Sequence, residues 1–245
     1  MQAVILAGGL GTRLRPLTEQ IPKPMVEVDG KPFLLHQLRM MHRHGIRDVV
    51  LCTGYRSSMV EEFFGDGSGL DMEGLKIRYS VEDEPLGTGG ALLLASSLLD
   101  DRFILAYGDS YLDMDYEGLW AAHVKGGTTG TMVVYGNEKD TQVVNNVLVD
   151  EDSLVKVYDK SGAIPGLGFV EAGVLAFEKK VLESVPGQED ETVRERLSLE
   201  NEIFPTLIAA GQMRAFITKE RFYDIGTFSR LDTFKNSTSS RKNRA

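Results

Sequence analysis

The residues best suited to chemistry sit close together near the start of the chain. Gly8, Gly9 and Gly11 follow an apolar run that begins at Gln2, and Thr12, Arg13, Arg15 and Lys23 come soon after. Glycines without Cβ atoms let the main chain take positive φ and approach a ligand closely, with N–H groups aimed at anionic oxygens. Thr12 adds a hydroxyl, Arg13 and Arg15 add permanently charged forks, and Pro22 and Pro24 stiffen the backbone on either side of the Lys23 ammonium. Together these groups suit a triphosphate. The stretch is not the dinucleotide fingerprint, which needs glycine where Leu14 stands, nor the P-loop, which needs Lys where Thr12 follows Gly11.

Carboxylates supply the complementary chemistry. The run Arg102 to Tyr107 delivers Gly108-Asp109-Ser110, and a glycine then Asp at the carboxyl end of a strand presents a carboxylate to Mg²⁺, which takes one or two such ligands and fills its shell with phosphate oxygens and water. Glu82 opens the loop Val81 to Ala91, and Asp113 and Asp115 stand where a helix around Tyr116 to Val124 needs a cap. Ser198 with Asn201 or Glu202 has the pattern of a helix cap, which gives Glu200 a purely structural alternative to a binding role.

The order G-G-x-G-T-R then P-K-P resembles the signature of nucleotidyltransferases that join a nucleoside triphosphate to a sugar 1-phosphate and release pyrophosphate. The resemblance covers roughly residues 1 to 234 and implies the roles that follow. Arg13 and Lys23 are the catalytic cations. Leu6, Ala7, Gly8, Gly9, Gly11 and Thr12 bind the nucleotide, with Pro85, Gly87 and Thr88 under the base. Asp109 and Asp224, the latter in Phe222-Tyr223-Asp224-Ile225-Gly226-Thr227, hold the metal, Mg²⁺. Lys160 holds the sugar phosphate, and Glu171, Gly173 and Glu200 face the sugar. Ser161 stands where the family's E-K-P segment has proline. Glu171 stands where N-x-G has asparagine, which removes a hydrogen-bond donor from that contact and leaves the sugar open.

Glu82 falls where uridine- and thymidine-using members carry Gln. Guanine offers adjacent N1–H and 2-amino donors that one carboxylate can accept, whereas uracil sets acceptors beside its single donor. GTP is therefore the favoured nucleotide, and the chain looks most like the heptose 1-phosphate and mannose 1-phosphate guanylyltransferase branch. The rivals are a uridylyl- or cytidylyltransferase on another phosphorylated metabolite, a glycosyltransferase using Asp113-Met114-Asp115, and an inactive regulatory homologue. The last should have lost Arg13, Lys23, Asp109 or Asp224, and all four are present.

Positioning these groups needs a rigid scaffold. Apolar runs at Gln2–Ala7, Asp48–Thr53, Lys76–Val81 and Arg102–Tyr107 alternate with helical patterns starting at Pro32 and Ser57 and running over Leu92 to Leu99. This predicts an α/β fold, a Rossmann-like, mainly parallel mixed sheet flanked by helices, with its ligand beyond the carboxyl ends of the strands. From Thr128 onward, runs at Thr131–Gly136, Val143–Val149, Leu154–Tyr158 and Phe169–Phe177 read as strands extending the sheet. The chain of 245 residues reads as a single nucleotidyltransferase domain over 1–235. Residues 1–125 form mainly the nucleotide half and 126–235 mainly the sugar-phosphate half. Residues 236–245, with no apolar side chain but the final alanine, are expected to be disordered.

The net charge of -9 argues against nucleic acid or an anionic membrane as partner. Cys52 is the only cysteine and reads as a buried small hydrophobe. Residues 1 to 25 lack the pattern of a signal peptide and no 18-residue apolar run occurs, which leads to the expectation of a cytoplasmic protein. No hexapeptide-repeat β-helix is seen, so acyl transfer is not expected. The family is often dimeric, and a homodimer is compatible with the sequence although no apolar stripe demands one.

Overall fold

The structure, a computed structural model, describes residues 1–184 and 197–242. β1 (Gln2–Leu6) leads through the glycine-rich segment and α1 (Leu17–Gln20) to a small hairpin, β2 (Glu27–Val28) and β3 (Lys31–Pro32). Then come α2 (Phe33–Arg43), β4 (Asp48–Thr53), α3 (Ser57–Phe64), β5 (Lys76–Val81), α4 (Gly87–Leu94) and β6 (Arg102–Tyr107). The second half runs β7 (Ser110–Tyr111), α5 (Tyr116–Gly126), β8 (Gly130–Tyr135), β9 (Val147–Val149), β10 (Val155–Tyr158) and β11 (Val170–Glu178). After a π-helical turn at Leu199–Ile203 follow α6 (Phe204–Ala209), β12 (Met213–Thr218), β13 (Tyr223–Asp224) and α7 (Phe228–Lys242).

Seven strands form one sheet in the order β12-β8-β11-β6-β1-β4-β5. All neighbours are parallel except β11, which runs antiparallel to both β6 and β8. The sheet is therefore mixed and mainly parallel. Alternation along its strands explains the two-sided core: Ala3 and Ile5 of β1 pack into one apolar layer and Val4 into the other. The first layer is closed by α2 and α7, whose Phe33 and Phe234 rings meet edge-on at 5.1 Å. The second is closed by α4 and α6, with Leu92 and Phe204 fully buried. Cys52 is buried there as a small apolar group. No helix among the described residues is long and apolar enough to cross a membrane.

Several elements differ from the sequence reading. The helix placed over Leu92–Leu99 begins at Gly87 and ends at Leu94, with a separate 3-10 turn at Ser96–Leu98. Residues 143–146 form a loop instead of strand, and side chains claim the backbone of Val143: Asn137 Nδ2 donates to Val143 O at 3.1 Å, and Val143 N donates to Thr141 Oγ1 at 3.3 Å. β9 and β10 make their own ribbon, apart from the main sheet. β12, which the sequence reading does not anticipate, forms the sheet's edge. The last helix continues to Lys242, past Phe234 and into the stretch expected to be disordered; hydroxyls of Ser237, Thr238 and Ser239 bond back to carbonyls of Phe234 and Lys235.

Candidate active site

The carboxyl ends of β1, β4 and β6 meet at one edge of the sheet, where the glycine-rich segment begins. Tyr55 N donates to Gly8 O at 3.3 Å, and the side of Gly8 that would carry a Cβ is closed by Glu82 Oε1. Gly11 has φ of +62°, which an L side chain rarely adopts, and its Cβ direction meets Thr18 and Lys23. Thr18 Oγ1 fixes the turn by donating to Gly11 O at 2.8 Å. Pro22 precedes the 3-10 turn Lys23–Met25, which aims the Lys23 ammonium at the sheet edge.

There Lys23 Nζ donates to Asp109 Oδ2. Burial makes the Asp109 carboxylate costly to ionise, but the Lys23 ammonium on it, with the Arg13 charge beyond, outweighs this and holds its pKa below the usual range. β7 pairs with β13 so that Ser110 lies opposite Asp224, and Ile225 N donates to Asp109 O at 3.0 Å. The two aspartates thus ride on one short ribbon. Asp224 bonds Arg230 Nη1 at 2.9 Å and Gly226 N at 2.6 Å, yet burial and then the Asp109 charge raise its pKa above the usual range. Each carboxylate is matched by a cation, and the pair offers hard oxygen ligands to a divalent ion. No third His, Cys, Asp or Glu joins them in a cluster among the described residues.

Two adjoining cavities open around this pair. The first, about 350 Å³, is lined by Leu6 through Arg13 and by Lys23, together with Glu82, Pro85, Gly87 and Thr88. The second, about 440 Å³, is lined by Lys160, Glu171, Gly173, Glu200 and Asp224. Arg13, Tyr107 and Asp109 line both. The residues singled out in the sequence thus fall into two groups that share a wall.

Their surroundings refine the sequence reading. Glu82 is half-buried, its Oε2 accepting from Leu86 N at 3.1 Å; burial raises its pKa. Thr88 lines the first cavity with its hydroxyl already engaged: its Oγ1 donates to Glu200 Oε2 at 2.8 Å and accepts from Leu199 N at 2.8 Å. Glu200 is a hub, accepting also from Tyr107 Oη at 2.7 Å and Ser198 Oγ at 2.7 Å. Although burial opposes ionisation, these donors lower its pKa, Tyr107 most among them. Ser198 meanwhile caps the turn through Glu200 N and Asn201 N, so the cap and the cavity wall share one segment. Asp113 pairs with Arg43 at 2.9 Å and His44 at 2.8 Å, and Asp115 caps α5 through Gly118 N, which takes both out of the site.

On the second cavity, Asp159 replaces the stiffening a proline at 161 would give. Its carboxylate accepts from the N–H groups of Ser161, Ala163 and Ile164, fixing the loop that carries Lys160. Gly173 has φ of +78° at an irregularity in β11, and a Cβ there would collide with Ser110 Oγ beside Asp109. Glu171 accepts from Gly173 N at 2.7 Å. Burial, with Glu200 and Asp109 nearby, pushes its carboxyl up to about 8, against the pull of that bond and of Lys160. With its proton on, the carboxyl would present both a donor and an acceptor, as an asparagine amide does.

A family model described as nucleotidyl transferase matches residues 2–240 of this architecture. The chain belongs to that family. The chain is 35% identical over 231 residues to the mannose-1-phosphate guanylyltransferase of Mycobacterium tuberculosis, covering 93% of itself and 61% of that relative. It thus spans about three fifths of the length of the mannose-1-phosphate enzymes it matches. It is 30% identical to the D-glycero-alpha-D-manno-heptose 1-phosphate guanylyltransferase of Aneurinibacillus thermoaerophilus, covering 92% of itself and 93% of that relative. The crystal structure of HddC from Yersinia pseudotuberculosis complexed with GMP-PN superposes with a TM-score of 0.80 at 28% identity, covering 97% of this chain and 99% of that one.

Sequence reasoning missed Tyr107, Arg230 and Gln37. Tyr107 ends an apolar strand and gives no local signal of a bonded hydroxyl. Arg230 follows Asp224 closely in the chain, and a cation one helical turn into α7 was the available hint. Gln37 is a lone amide on the apolar face of α2, a signal visible in the sequence.

Proposed function

We propose that the protein condenses GTP with a heptose or hexose 1-phosphate, giving a GDP-sugar and pyrophosphate. The observation that carries this reading is the shared wall. Arg13 and Asp109 face both cavities, so a triphosphate in the first and a sugar phosphate in the second would meet at those groups. The names of the guanylyltransferase relatives support the nucleotide and the sugar class. The Glu82 carboxylate lining the first cavity suits the two donors of guanine. Soluble reactants of this kind fit a cytoplasmic site of action.

In the proposed step, an oxygen of the sugar 1-phosphate attacks the α-phosphorus as the bond to the β-phosphate breaks and pyrophosphate leaves with its electron pair. The nucleophile is already an anion, so no general base is needed, and catalysis reduces to positioning and charge stabilisation. Glycine N–H groups from Gly8 to Gly11 would hold the triphosphate, Lys23 would neutralise the α-phosphate and Arg13 the charge growing on pyrophosphate. Lys160 would hold the incoming phosphate, and Glu171 would exchange hydrogen bonds with sugar hydroxyls. Members of the family generally work with a divalent metal, and Asp109 and Asp224 would hold it here as Mg²⁺. When bound, Mg²⁺ supplies Lewis-acid stabilisation of charge on the reacting phosphates.

The test is pyrophosphate release with GTP, UTP, dTTP, CTP and ATP in turn against hexose and heptose 1-phosphates. Turnover with GTP supports the proposal. Turnover with UTP or CTP alone overturns the base assignment and favours the uridylyl- or cytidylyltransferase reading. Silence across the panel overturns the activity itself.

A further inference from the structure

The geometry points to Gln37 as a positioning residue: its amide holds the turn bearing Asp109 in register with the strand bearing Asp224, and so sets the affinity of that pair for a divalent cation. This rests on the reading of the two aspartates as metal ligands.

Gln37 lies on the face of α2 that also buries Phe33, Leu34, Leu38 and Met41, and is itself 1% exposed. A primary amide in such a layer is costly unless its polar atoms are paired. Its Nε2 donates to Tyr107 O at 3.0 Å and to Ser110 O at 2.9 Å. Two carbonyl acceptors dictate which way the amide points, since the reversed amide would set oxygen against oxygen. These two carbonyls flank Gly108-Asp109, so one side chain closes the turn from below.

Lys23 Nζ holds the Asp109 carboxylate itself, and the main chain of the turn is tied by backbone bonds, Gly108 N to Leu6 O at 2.8 Å and Ile225 N to Asp109 O at 3.0 Å. Gly108 has no room to shift towards β1, because even a Cβ there would lie 2.6 Å from Leu6 O. The turn is thus gripped by β1, by the residue after Asp224, and by Gln37, which alone of the three reaches it through a side chain. Gln37 Oε1 is meanwhile buried with no partner among the described residues. A leucine or methionine would fill the same space without that unpaired acceptor, so packing does not explain the amide. Holding Asp109 does. Residues that orient metal ligands without touching the ion typically change metal affinity ~10–100-fold when replaced.

The experiment is a Mn²⁺ titration of the full chain followed by electron paramagnetic resonance, with melting curves in parallel. Gln37→Met keeps the volume and removes the donors; Gln37→Asn keeps an amide that is one methylene too short. Asp109→Asn reports on the metal site itself. The expected result is Mn²⁺ affinity weakened by ~10-fold in a folded Gln37→Met. The Mg²⁺ concentration for half-maximal turnover should rise in step, and kcat should recover at saturating metal. If Gln37→Met does not fold, Gln37→Asn decides by the same criterion. Unchanged Mn²⁺ affinity in a folded Gln37 variant, with Asp109→Asn having lost it, overturns the role of Gln37 alone. Unchanged affinity in Asp109→Asn overturns the metal assignment and this inference with it.

Discussion

Glu171→Gln should stabilise the protein, and increasingly so as pH rises. The wild-type carboxyl titrates near 8 in the fold against a usual 4.5, because burial beside Glu200 and Asp109 penalises its charge more than Lys160 and Gly173 N relieve it. Between those values the folded state keeps a proton that the unfolded chain gives up, so wild-type stability falls with rising pH, by at most ~1.4 kcal/mol per unit. At pH 7 the accumulated cost is ~2–3 kcal/mol after allowing for relaxation around the charge. Glutamine keeps the shape and the acceptor for Gly173 N but cannot ionise. For a chain of this size the gain corresponds to a melting temperature higher by roughly 5–10 °C at pH 7. The assay is differential scanning calorimetry of both proteins from pH 5.5 to 8. The gap should widen steadily with pH. A gap that stays constant, or a variant less stable at pH 8 than wild type, would refute a protonated Glu171.

Arg13→Ala should lower kcat by ~10²–10³ with the melting temperature retained, since Arg13 is exposed and its charge is needed only as pyrophosphate departs; near-normal kcat would remove it from the mechanism. Phe234→Ala should cost about 3–5 kcal/mol in denaturant unfolding, because its ring packs on Phe33, His36, Tyr111 and Tyr223 and anchors α7 to the ribbon carrying Asp224. A loss under 1 kcal/mol would show that α7 is held elsewhere. Glu82→Gln should raise the KM for GTP and lower the preference for GTP over UTP in steady-state assays; unchanged preference would take Glu82 out of base recognition.

The parts of this structure legible in the sequence are those set by local chemistry. The run Gln2–Leu6 suited a strand covered on both faces, and the glycines, Arg13 and Lys23 after it suited a triphosphate better than a plain surface turn. The order of strands and helices implied their crossovers. What escaped depends on residues distant in the chain. β11 inserts antiparallel between β6 and β8, and its own pattern carries no mark of direction. β12, Met213–Thr218, reads as a mixed segment because it lies on the sheet edge with Ile217 exposed. Residues 143–146 look β-forming, and the side chains of Asn137 and Thr141 take the backbone bonds of Val143 instead. The raised pKa of Glu171 was hidden for the same reason: burial raises it most, Glu200 and Asp109 add to that, and all three arise only in the fold. The stretch around residues 185–196 lies outside the described residues.

The central claim is transfer of a guanylyl group to a sugar phosphate, and α-phosphate-labelled GTP tests it most directly. Incubated with Mg²⁺ and a heptose or mannose 1-phosphate, the protein should move the label into a GDP-sugar, with one pyrophosphate formed per product, and Asp224→Asn should abolish that transfer. Label that stays in GTP, or appears only as free GMP or GDP, would contradict the account.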